Sequence, residues 1–112
     1  MPGRLTRLTR RGEFLKVASR GRKAARPGLV LQAMPQPAGG LRLGFTATKK
    51  IGNAVVRNRM KRRFRALARE TLPELGIAGA DHVLIGRAGG VERDYSNLAA
   101  ELKRALKKVA AA

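Results

Sequence analysis

The chain has no cysteine, no tryptophan and one histidine, His82. Lack of cysteine excludes disulfides, thiolate metal sites and cysteine nucleophiles together. A single histidine excludes a multi-histidine metal site. Aromatic residues make up only 4% of the chain, which leaves little for a surface that grips bases by stacking. No apolar run approaches the roughly 18 residues of a membrane span. The first twenty residues lack the continuous apolar stretch of a secretory signal. They are rich in arginine and poor in acid, as transit peptides are, yet they read as part of the fold. No glycine is followed by lysine, which excludes a Walker-type phosphate loop. Acids are scarce too: none occurs between Phe14 and Arg69.

What is present is positive charge. The 112 residues carry 25 Lys and Arg against 7 Asp and Glu, a formal net charge of +18. That length predicts a single domain over residues 1–112, and a hydrophobic content of 44% can supply its core. The charge is uneven. Residues 1–69 hold 19 of the basic residues and one acid, Glu13, while residues 70–112 are balanced at six of each. A block so one-sided repels itself. It is either a solvated surface kept for solubility or a surface for a polyanion, and nucleic acid is the foremost candidate. An anionic membrane fits less well, because it calls for large apolar residues beside the charges on an amphipathic helix.

Periodicity predicts the elements. Residues 1–8 form a basic, partly ordered tail. Phe14, Leu15, Val17 and Ala18 mark a short helix over about residues 10–19, stopped by Gly21. Residues 29–34 are a strand, 35–40 a turn, and 41–48 a strand of period two with Leu41, Leu43, Phe45 and Ala47 on one face. These two strands are expected to pair as an antiparallel hairpin. A longer helix runs from Ala54 to Leu72, capped by Asn53 and ended by Pro73. His82 to Gly86 is a buried strand, Gly89-Gly90 a turn, and Leu98, Leu102, Leu106 and Val109 line the last helix. The order α-β-β-α-β-α implies an α/β (α+β) two-layer sandwich of helices on a small sheet.

The densest charge lies in residues 49–65, Lys-Lys-Ile-Gly-Asn-Ala-Val-Val-Arg-Asn-Arg-Met-Lys-Arg-Arg-Phe-Arg. On a helical wheel Val56, Met60, Phe64, Leu67 and Thr71 form a narrow core stripe. Arg57, Lys61, Arg65 and Arg69 occupy one flank, and Arg59, Arg62 and Arg63 the other. Lys49, Lys50 and Arg57 crowd the helix start, the end that already carries about half a positive charge. A phosphate at that end would turn repulsion into attraction. Gly52 permits close approach or a positive φ, and Asn53 and Asn58 suit sugar and phosphate oxygens.

This segment resembles the signature of the bacterial ribonuclease P protein component family, Lys-Lys-x-Gly-Asn-Ala-Val-x-Arg-Asn-x-x-Lys-Arg. Lys49, Lys50, Gly52, Asn53, Ala54, Val55, Arg57, Asn58, Lys61 and Arg62 match it. Residues 10–17, 41–48 and 85–87 resemble the family's first helix, the strand before the motif and the later strand with its arginine. The resemblance implies a mixed sheet with a left-handed βαβ crossover between Thr48 and His82, and a further short strand near residues 22–26. It implies a subunit that assists removal of 5′ leaders from precursor tRNA, with the chemistry carried by ribonuclease P RNA and its Mg²⁺. RNA binding would then fall to Lys49, Lys50, Asn53, Arg57, Asn58, Arg59, Lys61, Arg62 and Arg65. The leader cleft would hold Arg10, Arg11, Phe14, Gln32 and Arg87. Ala18 and Gln32 stand where relatives often carry aromatics, so the leader should be held more by phosphate contact than by stacking; Phe14 itself fits either the cleft or the core.

No side-chain set suggests catalysis by the protein itself. His82 begins a buried strand, and Asp81, Glu92 and Asp94 are too scattered for a two-metal carboxylate site. No protein-bound metal or membrane partner is expected, and the free chain is expected to be a cytoplasmic monomer. The alternatives are a structural RNA-binding protein of ribosomal type and a basic DNA-architectural protein, although no dimer seam for the latter is evident.

Overall fold

A computed structural model describes residues 5–36, 40–77 and 79–111. Its elements are β1 (Leu5–Arg7), α1 (Arg11–Arg20), β2 (Arg22–Ala25), β3 (Leu29–Pro35), β4 (Leu41–Thr46), α2 (Ala54–Leu75), β5 (Ala80–Gly86) and α3 (Tyr95–Ala111). The five strands form one mixed sheet in the order β1-β4-β5-β3-β2. β1 lies in the segment expected as a tail, where it pairs parallel to β4, and Leu8 just beyond it is buried. β2 is the short strand implied near residues 22–26, antiparallel to β3.

The expected hairpin of the strands at 29–34 and 41–48 does not form. β5 lies between them, antiparallel to β3 and parallel to β4. Val83 and Leu84 point to opposite faces and both are buried, so this strand needs cover on both sides and takes the sheet centre. Parallel β4 and β5 require a long crossover, which α2 supplies.

Alternation along the strands separates two faces. Leu29, Leu31, Leu43, Phe45 and Leu84 meet Met60, Phe64, Leu67 and Leu72 of α2 and Leu98, Leu102, Leu106 and Val109 of α3. This is the main sandwich, and it uses the stripes predicted on both helices. On the other face α1 covers part of the sheet through Val17, which packs with Leu8, Val83, Phe14, Met34 and Ile85. Gly44 makes that approach possible, because any Cβ there would run into the Phe14 ring.

α2 does not stop before Pro73 but continues to Leu75. Proline removes the bond to the Arg69 carbonyl and crowds that carbonyl, a cost local to the last turns. Buried Thr71 and Leu72 hold the last turn to the core, and the Gly76 N–H closes it on the Leu72 carbonyl at 2.8 Å.

Candidate nucleic-acid interface

The chain enters α2 through a short 3₁₀ turn, Lys49–Ile51, that leaves both lysines exposed. Gly52 follows with φ 148°, a conformation side chains rarely adopt, and a Cβ there would lie 2.8 Å from Val56 Cβ. Asn53 is extended, and its Oδ1 accepts the Val56 N–H at 3.1 Å, as predicted for the cap. The half-buried Arg57 donates through Nε to the Ala47 carbonyl at 3.2 Å, tying the helix start to the end of β4. Asn58, Arg59, Arg62 and Arg65 are exposed and Lys61 is half-buried. Among the described residues none of these cations is in an ion pair.

The two flanks of α2 face different surroundings. Lys61 joins Arg11 and Phe14 of α1, with Thr46 and Ala47, around a depression of about 360 Å³. Arg65 and Arg69 face Arg7 of β1. On the other flank Arg59 and Arg62 point to solvent, whereas Arg63 turns inward. It donates to the carbonyls of Gly90 and Val91, at 3.3 and 3.0 Å, and to that of Arg93, so it fastens α2 to the β5–α3 connection.

The structure therefore brings Arg11 and Phe14 to Lys61 but leaves the rest of the expected leader set elsewhere. Arg10 lines a separate cavity of about 540 Å³ with Glu13, Lys16, Gln36, Arg42 and Asp81. Gln32 is only 5% exposed, paired between Lys23 and Val83. Arg87, at the end of β5, donates to the Arg26 carbonyl at 3.1 Å.

Several polar residues with structural duties escaped the sequence reading. Asp81, 1% exposed, accepts both Nε and Nη2 of Arg42, at 2.6 and 2.8 Å. Arg42 Nη1 reaches Glu13 Oε2 at 3.0 Å, while Glu13 Oε1 accepts the N–H groups of Arg10 and Thr9 at 3.0 and 3.2 Å. The sole acid of the first 69 residues thus caps α1 and anchors it to the sheet. The Arg10 N–H is the main group holding the Glu13 carboxyl below its usual range, with the Arg42 charge assisting. The Asp81 hydrogen bond pushes Arg42 further up. The pairing of Arg42 with Asp81 follows from β4–β5 register, which no local pattern discloses. His82 is buried; Nε2 accepts the Ile77 N–H at 3.0 Å, Nδ1 faces the Arg42 carbonyl at 3.4 Å, and burial lowers its pKa. Among the described residues no group of three His, Asp or Glu comes together as a metal site, and no helix is long and apolar enough to cross a membrane.

Fold and surface together define a small α+β protein built to present a cationic helix to an anionic partner. A sequence model of the family described as Ribonuclease P matches residues 2–110. The ribonuclease P protein component of Erythrobacter litoralis is 57% identical over 101 residues, covering 90% of this chain and 83% of that protein. That of Gluconacetobacter diazotrophicus is 53% identical over 112 residues, covering 96% and 94%. The solved ribonuclease P protein of Thermotoga maritima superimposes with a TM-score of 0.82 at 26% identity, covering 93% of this chain and 97% of that one. The chain belongs to the ribonuclease P protein family.

Proposed function

We infer that this chain is the RNA-binding subunit of a ribonuclease P that frees the 5′ ends of tRNA. The start of α2, with Lys49, Lys50, Asn53, Arg57, Asn58, Arg59 and Arg62, binds the ribonuclease P RNA. The depression between α1, β4 and α2 takes the 5′ leader of precursor tRNA, with Arg11 and Lys61 on its phosphates and Phe14 at its floor. Catalysis belongs to the RNA and the Mg²⁺ it holds; Glu13 and Asp81 direct their oxygens to Arg42 and to the start of α1. The protein acts in the cytoplasm and joins the RNA as a monomer.

One observation carries this reading. The cations of the motif surround a helix N-terminus with no acid among them and no ion pair to any described residue. Such an arrangement is unfavourable alone and favourable around phosphate. The test is reconstitution with ribonuclease P RNA at low Mg²⁺. The protein should stimulate precursor cleavage, and replacing Arg57 and Lys61 together should weaken RNA binding while the chain stays folded. No stimulation by the intact chain would overturn the reading.

A further inference from the structure

The geometry points to a second phosphate-binding groove, formed by Arg7, Arg65 and Arg69 along the edge between β1 and α2. It rests on the RNA-binding reading above and extends it from Arg65 to Arg69 and to Arg7 of β1. The three arginines line a cavity of about 280 Å³ whose other walls are Leu43 and Phe45. All three arginines are exposed and no acid lines the cavity. The adjacent acid on α2, Glu70, is not among its lining residues.

The floor is fixed. Phe45 is 9% exposed and stacks on Phe64, with ring centroids 6.4 Å apart. Its face is therefore closed to bases, so the groove offers charge rather than stacking. Arg7 is held over the same ring at 5.8 Å, and pairing of β1 with β4 sets it beside Leu43. This placement leaves the guanidinium oriented in advance, and its fork geometry suits a phosphate.

Phe45 also lines the depression that holds Arg11, Phe14 and Lys61. The two cavities are thus neighbours that share Phe45. Lys61, Arg65 and Arg69 succeed one another at four-residue intervals, about 6 Å of helix rise each. A strand lying in the first depression can continue along this row, with Arg7 on its opposite side. The ligand is the phosphodiester backbone of a single RNA strand, because a cavity of about 280 Å³ admits a short backbone segment and not the width of a duplex. That strand belongs either to the ribonuclease P RNA or to the precursor leader.

The test uses R7Q/R65Q/R69Q in the assembled enzyme. A charge-matched control, K103Q/R104Q/K107Q, removes three exposed cations from α3. Thermal melting confirms that both variants fold. One arm measures affinity for ribonuclease P RNA alone across a salt series. The other measures affinity of the assembled enzyme for precursors with short and with long leaders across the same salt series. Three lost phosphate contacts should flatten the slope of log affinity against log salt by about 2, at about 0.7 per single-strand phosphate. Flattening in the first arm assigns the groove to the ribonuclease P RNA; flattening confined to long-leader precursors assigns it to the leader. A variant equal to the control in both arms overturns the groove while leaving the main reading intact, and failure of the unaltered chain to bind RNA overturns both.

Discussion

Arg42 shows how one residue couples strand, helix and charge. Its fork binds buried Asp81 through two nitrogens, and its third nitrogen holds Glu13 at the start of α1. Arg42→Met would leave Asp81 buried without its cation, and breaking such a pair costs about 3 kcal/mol. Urea denaturation should show that loss. His82 supplies a separate signature. Burial lowers its pKa from 6.5, so the unfolded chain takes up a proton more readily than the folded one. Stability is therefore full above pH 6.5 and falls as pH drops below it. Glu13 acts in a different window, because its carboxyl lies below 4.5 and its contribution is lost only under more acid conditions. His82→Gln, which keeps an acceptor for the Ile77 N–H, should flatten the melting temperature between pH 7.5 and 5.5, values that bracket about one unit either side of the free imidazole. A decline as steep as in the unaltered chain would exclude His82 as its source.

α2 is the element where stability and RNA binding can be separated. Arg62 and Arg63 are neighbours in sequence with opposite surroundings: one exposed, the other bonded to three carbonyls. Arg63→Ala should cost about 2 kcal/mol, the loss of a charged hydrogen-bonding group. Arg62→Ala should stay within about 0.5 kcal/mol on stability and act on RNA affinity instead. Equal stability losses would show that Arg63 is not the clamp. The cap gives a second separation. Asn53→Asp keeps the acceptor for Val56 and adds a favourable charge at the helix start, so melting should hold or rise, by about 0.3–1 kcal/mol. The same carboxylate opposes phosphate, so RNA affinity should fall several-fold. Filter-binding assays beside a melting curve would check both signs.

At the scale of the whole molecule, the net charge of +18 makes salt act in opposite directions on the free and the bound protein. Screening relieves self-repulsion, so NaCl should raise the melting temperature of the free chain. Sulfate should raise it further at equal ionic strength by binding the folded state at α2. RNA affinity should meanwhile fall with a slope near −5 on log axes if about six phosphates are neutralised. Equal melting in chloride and sulfate, or a slope near zero, would contradict a folded anion site.

Most elements and the cationic helix were legible in the sequence, because both rest on local regularities. The 3.6-residue stripe of α2 and α3, the alternation of β4 and the cap at Asn53 are all short-range patterns. Other features depend on register between distant segments. Local pattern could not place β5 between β3 and β4, nor carry α2 through Pro73. It could not show that Arg63 faces inward while Arg62 faces out, or that the lone early acid meets Arg42. That a carboxylate-free helix start would carry the charge was readable from residue order, since charge and helical spacing are written along the chain. Which cations are committed to the fold and which converge on a groove emerges only from packing. Strand order and the packing of α1 and α2 on opposite faces of the sheet set those neighbours.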